Sequence, residues 1–215
     1  MRRKLLSALV PFVLASGCSK PKEIPVEPLR NEKAQTKPSL EAKLRLDDVH
    51  CYKHSIPFEY RALLDTISWA EGADYNTLYG QETFADLSHH PHRKVTKGRY
   101  TSTAAGRYQI NYSTAQMLQE KGLLSTMEPD EQDQAAIFLF ERRGVNQKSL
   151  QDAIFSTGNF QTIWNKLALE WASFPQTHHR KGRYGQAHYT SHDLEAKFFE
   201  FYARERSEPC KKNIY

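Results

Sequence analysis

Aromatic residues are missing from an entire stretch of this chain. Between Ser19 and Asp47 there is no Phe, Tyr or Trp, while Lys, Glu and the prolines Pro21, Pro25, Pro28 and Pro38 crowd the segment. Such a composition cannot bury enough apolar surface to offset its conformational entropy, which excludes a packed domain there and leaves a disordered tether. Apolar runs long enough to cross a bilayer are missing too, since Leu5 to Leu14 is too short. Cysteine is scarce, three in 215 residues. A large excess of one charge is lacking: 30 Lys and Arg stand against 25 Asp and Glu, and Arg2, Arg3 and Lys4 lie in a segment expected to be removed. A mature chain so mildly basic does not call for nucleic acid, though anionic cell wall or membrane surface could still attract it. No internal repeat is visible. What is abundant is aromatic: eleven Tyr and eleven Phe, on an otherwise ordinary soluble composition of 39% hydrophobic and 26% charged residues. That suits a sugar or peptide cleft, and the length suits one domain with a tail.

Residues 1–17 follow the order of a signal peptide, with a basic start at Arg2 to Lys4, an apolar stretch from Leu5 to Leu14, and then the small residues Ala15, Ser16 and Gly17. Cys18 comes next. The run Leu14, Ala15, Ser16, Gly17, Cys18 resembles the lipobox of bacterial lipoproteins, whose cysteine becomes the lipidated first residue of the mature chain. Ala15 stands where a larger aliphatic residue is usual, so cleavage by a general signal peptidase is the alternative. Ser19 and Lys20 resemble outer-membrane sorting in a Gram-negative cell, which implies a protein held by lipid on the periplasmic side of the envelope. With Cys18 assigned to lipid, Cys51 and Cys210 remain as an even pair in an oxidising compartment. They are expected to form a disulfide, two free thiols being the alternative. Closing so long a loop contributes at most about 5 kcal/mol.

The first expected helix runs from Pro57 to Glu71, because Tyr60, Leu63, Leu64, Ile67 and Ala70 recur at helical spacing and Gly72 is a stop signal. From Gly72 to Ile110, Gly80, Gly98, Gly106 and Pro91 punctuate short runs rich in Thr and Tyr, which predicts a small irregular antiparallel sheet with loops. Further helices are expected over Ser113 to Glu120, Pro129 to Arg143, Ser149 to Phe155, Phe160 to Ala172 and Asp193 to Arg204. Arg142 and Arg143 suit the negative end of the second of these. The sum is an α+β domain, mainly helical, spanning 48–215 behind a tether at 18–47.

Glu71 closes the first helix, where the macrodipole disfavours a charged carboxylate. Shielding by a neighbour such as Trp69 would raise its pKa further. Both effects suit a general acid, since a glycosidic oxygen leaves poorly until protonated. The local pattern alone is also that of an ordinary surface glutamate. The surrounding run Ser68, Trp69, Ala70, Glu71, Gly72 resembles the helix end that carries the catalytic glutamate in lambda-type phage endolysins, which are lytic transglycosylases of lysozyme fold. The likeness continues through Phe84 to Pro91, Ser102 to Gln109, Trp171 to Pro175 and Tyr184 to Gln186, in the same order with comparable gaps.

The resemblance implies a lysozyme-like domain that takes peptidoglycan glycan strands and needs no cofactor. Glu71 would protonate the oxygen between N-acetylmuramic acid and N-acetylglucosamine, then take the proton of the muramyl C6 hydroxyl as that oxygen attacks C1. A 1,6-anhydromuramyl end results, and a second catalytic carboxylate is not obligatory. Ser102, Thr103, Arg107, Tyr108 and Gln109 would line one side of the cleft, and Tyr184 and Gln186 the other. Gly106 would let the backbone approach the sugar. Gln109 can donate and accept, Tyr108 offers a ring face, and Arg107 could meet a lactyl carboxylate or form a structural pair. Hydrolysis by water, as in a muramidase, and noncatalytic wall binding are the alternatives. The loop between Gly72 and Tyr75 is shorter than its family counterpart, and Asn76 replaces an expected aspartate.

Other signals are weaker. Asp74, Glu82 and Asp86 lie near Glu71 in sequence, and Asp86 is the best of them for a carboxylate pair, although a turn role suits it better. His89, His90 and His92, like His178, His179 and His188, show no recognisable metal-ligand spacing; His90 and Pro91 more naturally shape a turn. Trp164 and Trp171 are expected in the core. Arg180, Lys181 and Arg183 form a basic loop, read as a solvated charge run.

Overall fold

Tyr60, Leu63, Leu64, Ile67 and Ala70 recur at three- and four-residue intervals. In the computed structural model, which describes residues 55–176 and 189–207, they form the buried face of a helix, α1, over Phe58–Glu71. Gly72 ends it by adopting the left-handed conformation at φ 61°. Its N–H donates to the Trp69 carbonyl at 3.1 Å, and the Ala73 N–H donates to the Ser68 carbonyl at 3.2 Å. These two bonds make a Schellman closure, which fixes Glu71 as the last residue of the helix.

The sheet expected within 72–110 is a hairpin of β1 (Val95–Lys97) and β2 (Tyr100–Ser102), antiparallel, with Val95 opposite Ser102 and Lys97 opposite Tyr100. Single bridges between Thr77 and Thr83, Leu78 and Ala105, and Ala105 and Ile110 tie the rest of the segment together. The helices that follow are α2 (Tyr112–Glu120), α3 (Pro129–Glu141), α4 (Gln147–Asp152) with a π turn at Ala153–Thr157, α5 (Phe160–Leu167) and α6 (Ser191–Ser207). α3 opens on Pro129 with Asp130 and Glu131 in its first turn, where proline costs no hydrogen bond and acids meet the positive end of the dipole. Asn146 and Ser149 form a reciprocal capping box on α4.

One helix is shorter than its pattern predicts. α5 stops at Leu167 rather than Ala172, and the chain passes through turns in which Leu169 and Glu170 donate to the carbonyls of Lys166 and Leu167. The carboxylate of Glu170 is held from α3's end by Arg142 and Arg143. That tertiary pairing overrides the apolar spacing that would have carried the helix on.

α1 packs mainly against α6, and also against α3 and α4. Leu63 and Ile67 of α1, Phe140 of α3, Trp164 of α5 and Phe198 of α6 are fully buried. The rings of Phe160, Trp164 and Phe198 lie 5.1–6.4 Å apart. Burial of each such side chain stabilises the fold by roughly 1.5–3 kcal/mol. Trp164 and Trp171 are both core residues, as their spacing predicts. The architecture is lysozyme-like α+β, mainly helical with one small antiparallel sheet. Cys18, Cys51, Cys210, Tyr184 and Gln186 lie outside the described residues, as do the segments read as signal and tether and the His and basic residues of 178–188.

Candidate active site

Glu71, set at the end of α1 by the Gly72 closure, stands on the wall of a cleft of about 580 Å³. Tyr79, Trp171 and Ala172 share that wall. Ser173 Oγ donates to Glu71 Oε1 at 2.5 Å. Burial pushes the Glu71 carboxyl up from its ordinary value to about 6, while the Ser173 hydroxyl and backbone N–H pull it partway back. The group therefore holds its proton close to neutrality, yet its carboxylate has a hydrogen-bond donor waiting once the proton has gone. Trp69 is not what shields it. Two positions earlier on the helix, Trp69 faces elsewhere and packs against Tyr189 with the rings tilted at 35° and their centres 4.0 Å apart.

Ser102 and Gln109 reach this cleft, as expected of substrate-contacting residues. Ser102 Oγ donates to Asn111 Oδ1 at 3.1 Å. Gln109 adopts a left-handed backbone at φ 45°, a conformation that costs a non-glycine residue energy and clusters at functional sites. Its Nε2 donates to the carbonyls of Thr77 and Gly106 at 3.1 and 3.0 Å. With those donors engaged, acceptance through Oε1 is the contact Gln109 can offer a sugar.

Three expected contacts have other tasks. Thr103 is absent from the cleft wall, and its Oγ1 accepts from the Tyr112 N–H at 3.1 Å, anchoring the start of α2. Tyr108 is 1% exposed, so no ring face is open to a sugar, and its hydroxyl donates to Asp133 on α3 at 2.6 Å. Tyr75 donates to the same Asp133 oxygen at 2.9 Å. Arg107 lies beneath the Tyr75 ring, 5.0 Å from its centre, and forms an ion pair with Asp65 of α1, which Arg204 of α6 also joins. Of the two roles open to Arg107 in sequence, the structural pair is the one adopted. Gly106 is likewise not a point of sugar approach. At φ 78°, a Cβ there would fall 2.1 Å from Gln132 Oε1, which accepts the Arg107 N–H. The close neighbour is protein.

Asp86 is exposed, its Oδ1 accepts the Ser88 N–H at 2.9 Å, and the Ser88 hydroxyl together with that N–H holds its pKa below the usual carboxylate value. Glu82 pairs with Arg93 at 2.6 Å, and the Asp74 side chain is three-quarters exposed. None of the three lines the cleft. His90 bonds the Ile110 carbonyl at 2.9 Å and His92 stacks on Tyr112, so both shape the loop. Among the described residues two carboxyl groups line the cleft, Glu71 and Glu170, and Glu170 is neutralised by two arginines. Sequence reasoning missed Tyr79, Tyr100, Asn111 and the pair Arg142 and Arg143, all of which line the cleft. The two arginines read there as helix-end cations and nothing more.

Residues 61–204 match the family described as Endolysin. The chain is 30% identical over 151 residues to the endolysin of Escherichia phage lambda, an alignment covering 65% of this chain and 89% of that one. Two solved structures superpose with a TM-score of 0.57, each covering 68% of this chain and 95% of the other. They are bacteriophage lambda lysozyme complexed with a chitohexasaccharide, at 29% identity, and lysozyme from bacteriophage lambda, at 28%.

Proposed function

This chain belongs to the endolysin family and is a lysozyme-like enzyme that degrades peptidoglycan, and from that premise we propose that it acts as a lytic transglycosylase with Glu71 as both acid and base. The observation carrying this reading is the solitude of Glu71, the one cleft-lining carboxyl among the described residues without a cationic partner. Neutral Glu71 donates its proton to the glycosidic oxygen, the bond from that oxygen to muramyl C1 breaks, and N-acetylglucosamine leaves with a hydroxyl. The Glu71 carboxylate, steadied by the Ser173 hydroxyl, then accepts the C6 hydroxyl proton as O6 bonds to C1. The ring closes as a 1,6-anhydro sugar, and the acid is restored. A glycosidase that activates water commonly uses a second carboxylate, and Asp86, the best sequence candidate for it, is tied into a turn away from the cleft.

Mass spectrometry of peptidoglycan digested in ¹⁸O-water tests the reaction. Anhydromuramyl ends without ¹⁸O are expected; reducing ends carrying ¹⁸O would establish a hydrolytic muramidase instead. The location belongs to the same reading: Cys18 carries lipid, 18–47 serves as the tether, and the domain works on the periplasmic face of an outer membrane. A Cys18→Ala chain should then move from the detergent phase to the aqueous phase. If Cys51 and Cys210 are bridged, reductant should lower the unfolding temperature; an unchanged temperature would indicate two thiols.

A further inference from the structure

A glycan cleft needs polar side chains for neutral sugars, but it has no use for an unbalanced cation unless the ligand brings an anion. The Glu71 cleft contains such a cation. Arg142 and Arg143, just beyond α3, both line it, and both turn onto a single carboxylate. Arg142 grips Glu170 through two nitrogens, Nε to Oε1 at 2.9 Å and a terminal nitrogen to Oε2 at 2.7 Å. Its other terminal nitrogen lies 4.0 Å from Met117 Sδ. Arg143 reaches Glu170 through Nε alone, at 2.5 Å. The Glu170 side chain is only 8% exposed, whereas those of the arginines are 32% and 33% exposed. The anion is thus sunk in the wall and the cations are presented. Two guanidiniums on one carboxylate leave one positive charge in excess, and Glu170 is the only acid that pairs with either among the described residues.

Helix-end cations need not face a cleft to satisfy the macrodipole, which falls off within one turn and acts equally well from solvent. Nor does holding Glu170 need both arginines, since Arg142 already does so bidentately. What Arg143 adds is its pair of terminal nitrogens beside the cleft, on a guanidinium whose Nε is pinned. A fork fixed at one edge and open at the other matches a carboxylate's two oxygens.

We propose that Arg143, oriented by Glu170 and backed by Arg142, is the specificity residue that binds a carboxylate borne by the muramyl residue of the glycan strand. The inference rests on the cleft being the glycan groove. Two sources share this chemistry: the lactyl carboxylate of a peptide-free strand, and a carboxylate of the stem peptide where the lactyl group is amidated. N-acetylglucosamine residues carry neither, so the pair distinguishes wall glycan from a neutral chitin-type oligomer.

Binding to a Glu71→Gln chain, which holds ligand without turnover, tests this by calorimetry with three probes: a chitohexasaccharide, a peptide-free muramyl oligomer and a peptide-bearing one. Arg143→Gln should weaken binding of a carboxylate-bearing oligomer about tenfold and leave the chitohexasaccharide within about twofold. Arg143→Lys, which keeps the charge but loses the fork, should fall between, and Arg93→Gln, remote from the cleft, should change nothing. Loss on the peptide-free oligomer identifies the lactyl group, and loss confined to the peptide-bearing one identifies the stem peptide. Equal loss on all three probes would make the pair a structural tie and overturn the proposal, as would no loss on any. If no probe binds the parent chain, the groove itself is wrong and the proposal falls with it. The ¹⁸O experiment is independent of every one of these outcomes.

Discussion

Two blocks of this sequence look equally chemical, and they fold to opposite ends. Ser68 to Gly72 delivers its one acid to the cleft, where Glu71 holds a proton to about pH 6. Ser102 to Gln109, richer in polar side chains, sends Ser102 and Gln109 to the cleft but turns Thr103, Arg107 and Tyr108 inward as fixings. The difference lies in what each segment must satisfy. The helix end closes its backbone bonds through Gly72 and Ala73, which leaves its last side chain at liberty. The second block has almost no regular secondary structure, so its side chains and those of α3 must anchor it.

Single substitutions in the two blocks should have opposite effects on activity and stability. Glu71→Gln should reduce clearing of wall sacculi by about a thousandfold or more, and the protein should become more stable. The sign follows from linkage: a carboxyl raised from 4.5 to about 6 on folding makes stability fall as pH rises from about 4.5 through about 6. Removing the group restores about 1–2 kcal/mol at pH 7, read from chemical denaturation at pH 7 and again at pH 4, where the gain should vanish.

Substitution in the second block should do the reverse. Gly106→Ala forces a Cβ into Gln132 at a left-handed backbone position and should cost about 2–3 kcal/mol of stability. Well below its unfolding temperature the variant should retain activity within about tenfold, since the contact it disturbs lies behind the cleft. Tyr108→Phe, which takes one donor from buried Asp133, should cost about 1–3 kcal/mol with a similarly mild effect on turnover. A larger loss of activity than of stability in either variant would put this block back among the catalytic residues.

Ser173→Ala gives the smallest effect. Its hydroxyl lowers the Glu71 pKa, so its loss should move the alkaline limb of the pH profile upward while leaving the fold intact. An unmoved limb would show that Ser173 does not act on Glu71.

The main helices and the end of α1 were legible because each is set by local rules: apolar spacing, Pro129 at a start, Gly72 at a stop. Glu71's position could be read for the same reason. What could not be read was set by partners distant in the chain. Nothing in the spacing of Phe160 to Ala172 says that Glu170 will be claimed by α3's end, and so α5 runs on in sequence but not in space. Tyr108 looks like a sugar platform until Asp133 is seen to receive its hydroxyl. Arg142 and Arg143 satisfy the local dipole rule so well that their place beside the cleft leaves no trace in the sequence. Polar residues in irregular segments are thus the least readable, because their roles depend on pairings that only the folded chain brings about.

In the proposed reaction a single carboxyl serves twice, and the pH dependence of kcat/KM on solubilised glycan strands from about pH 4 to about pH 8 is its most direct test. One ionisation is predicted, with activity constant below about pH 6, falling above it, and the limb moving upward in Ser173→Ala. A bell-shaped profile, with a second ionisation limiting the rate on the acid side while the protein stays folded, would reveal another essential carboxylate and contradict the account.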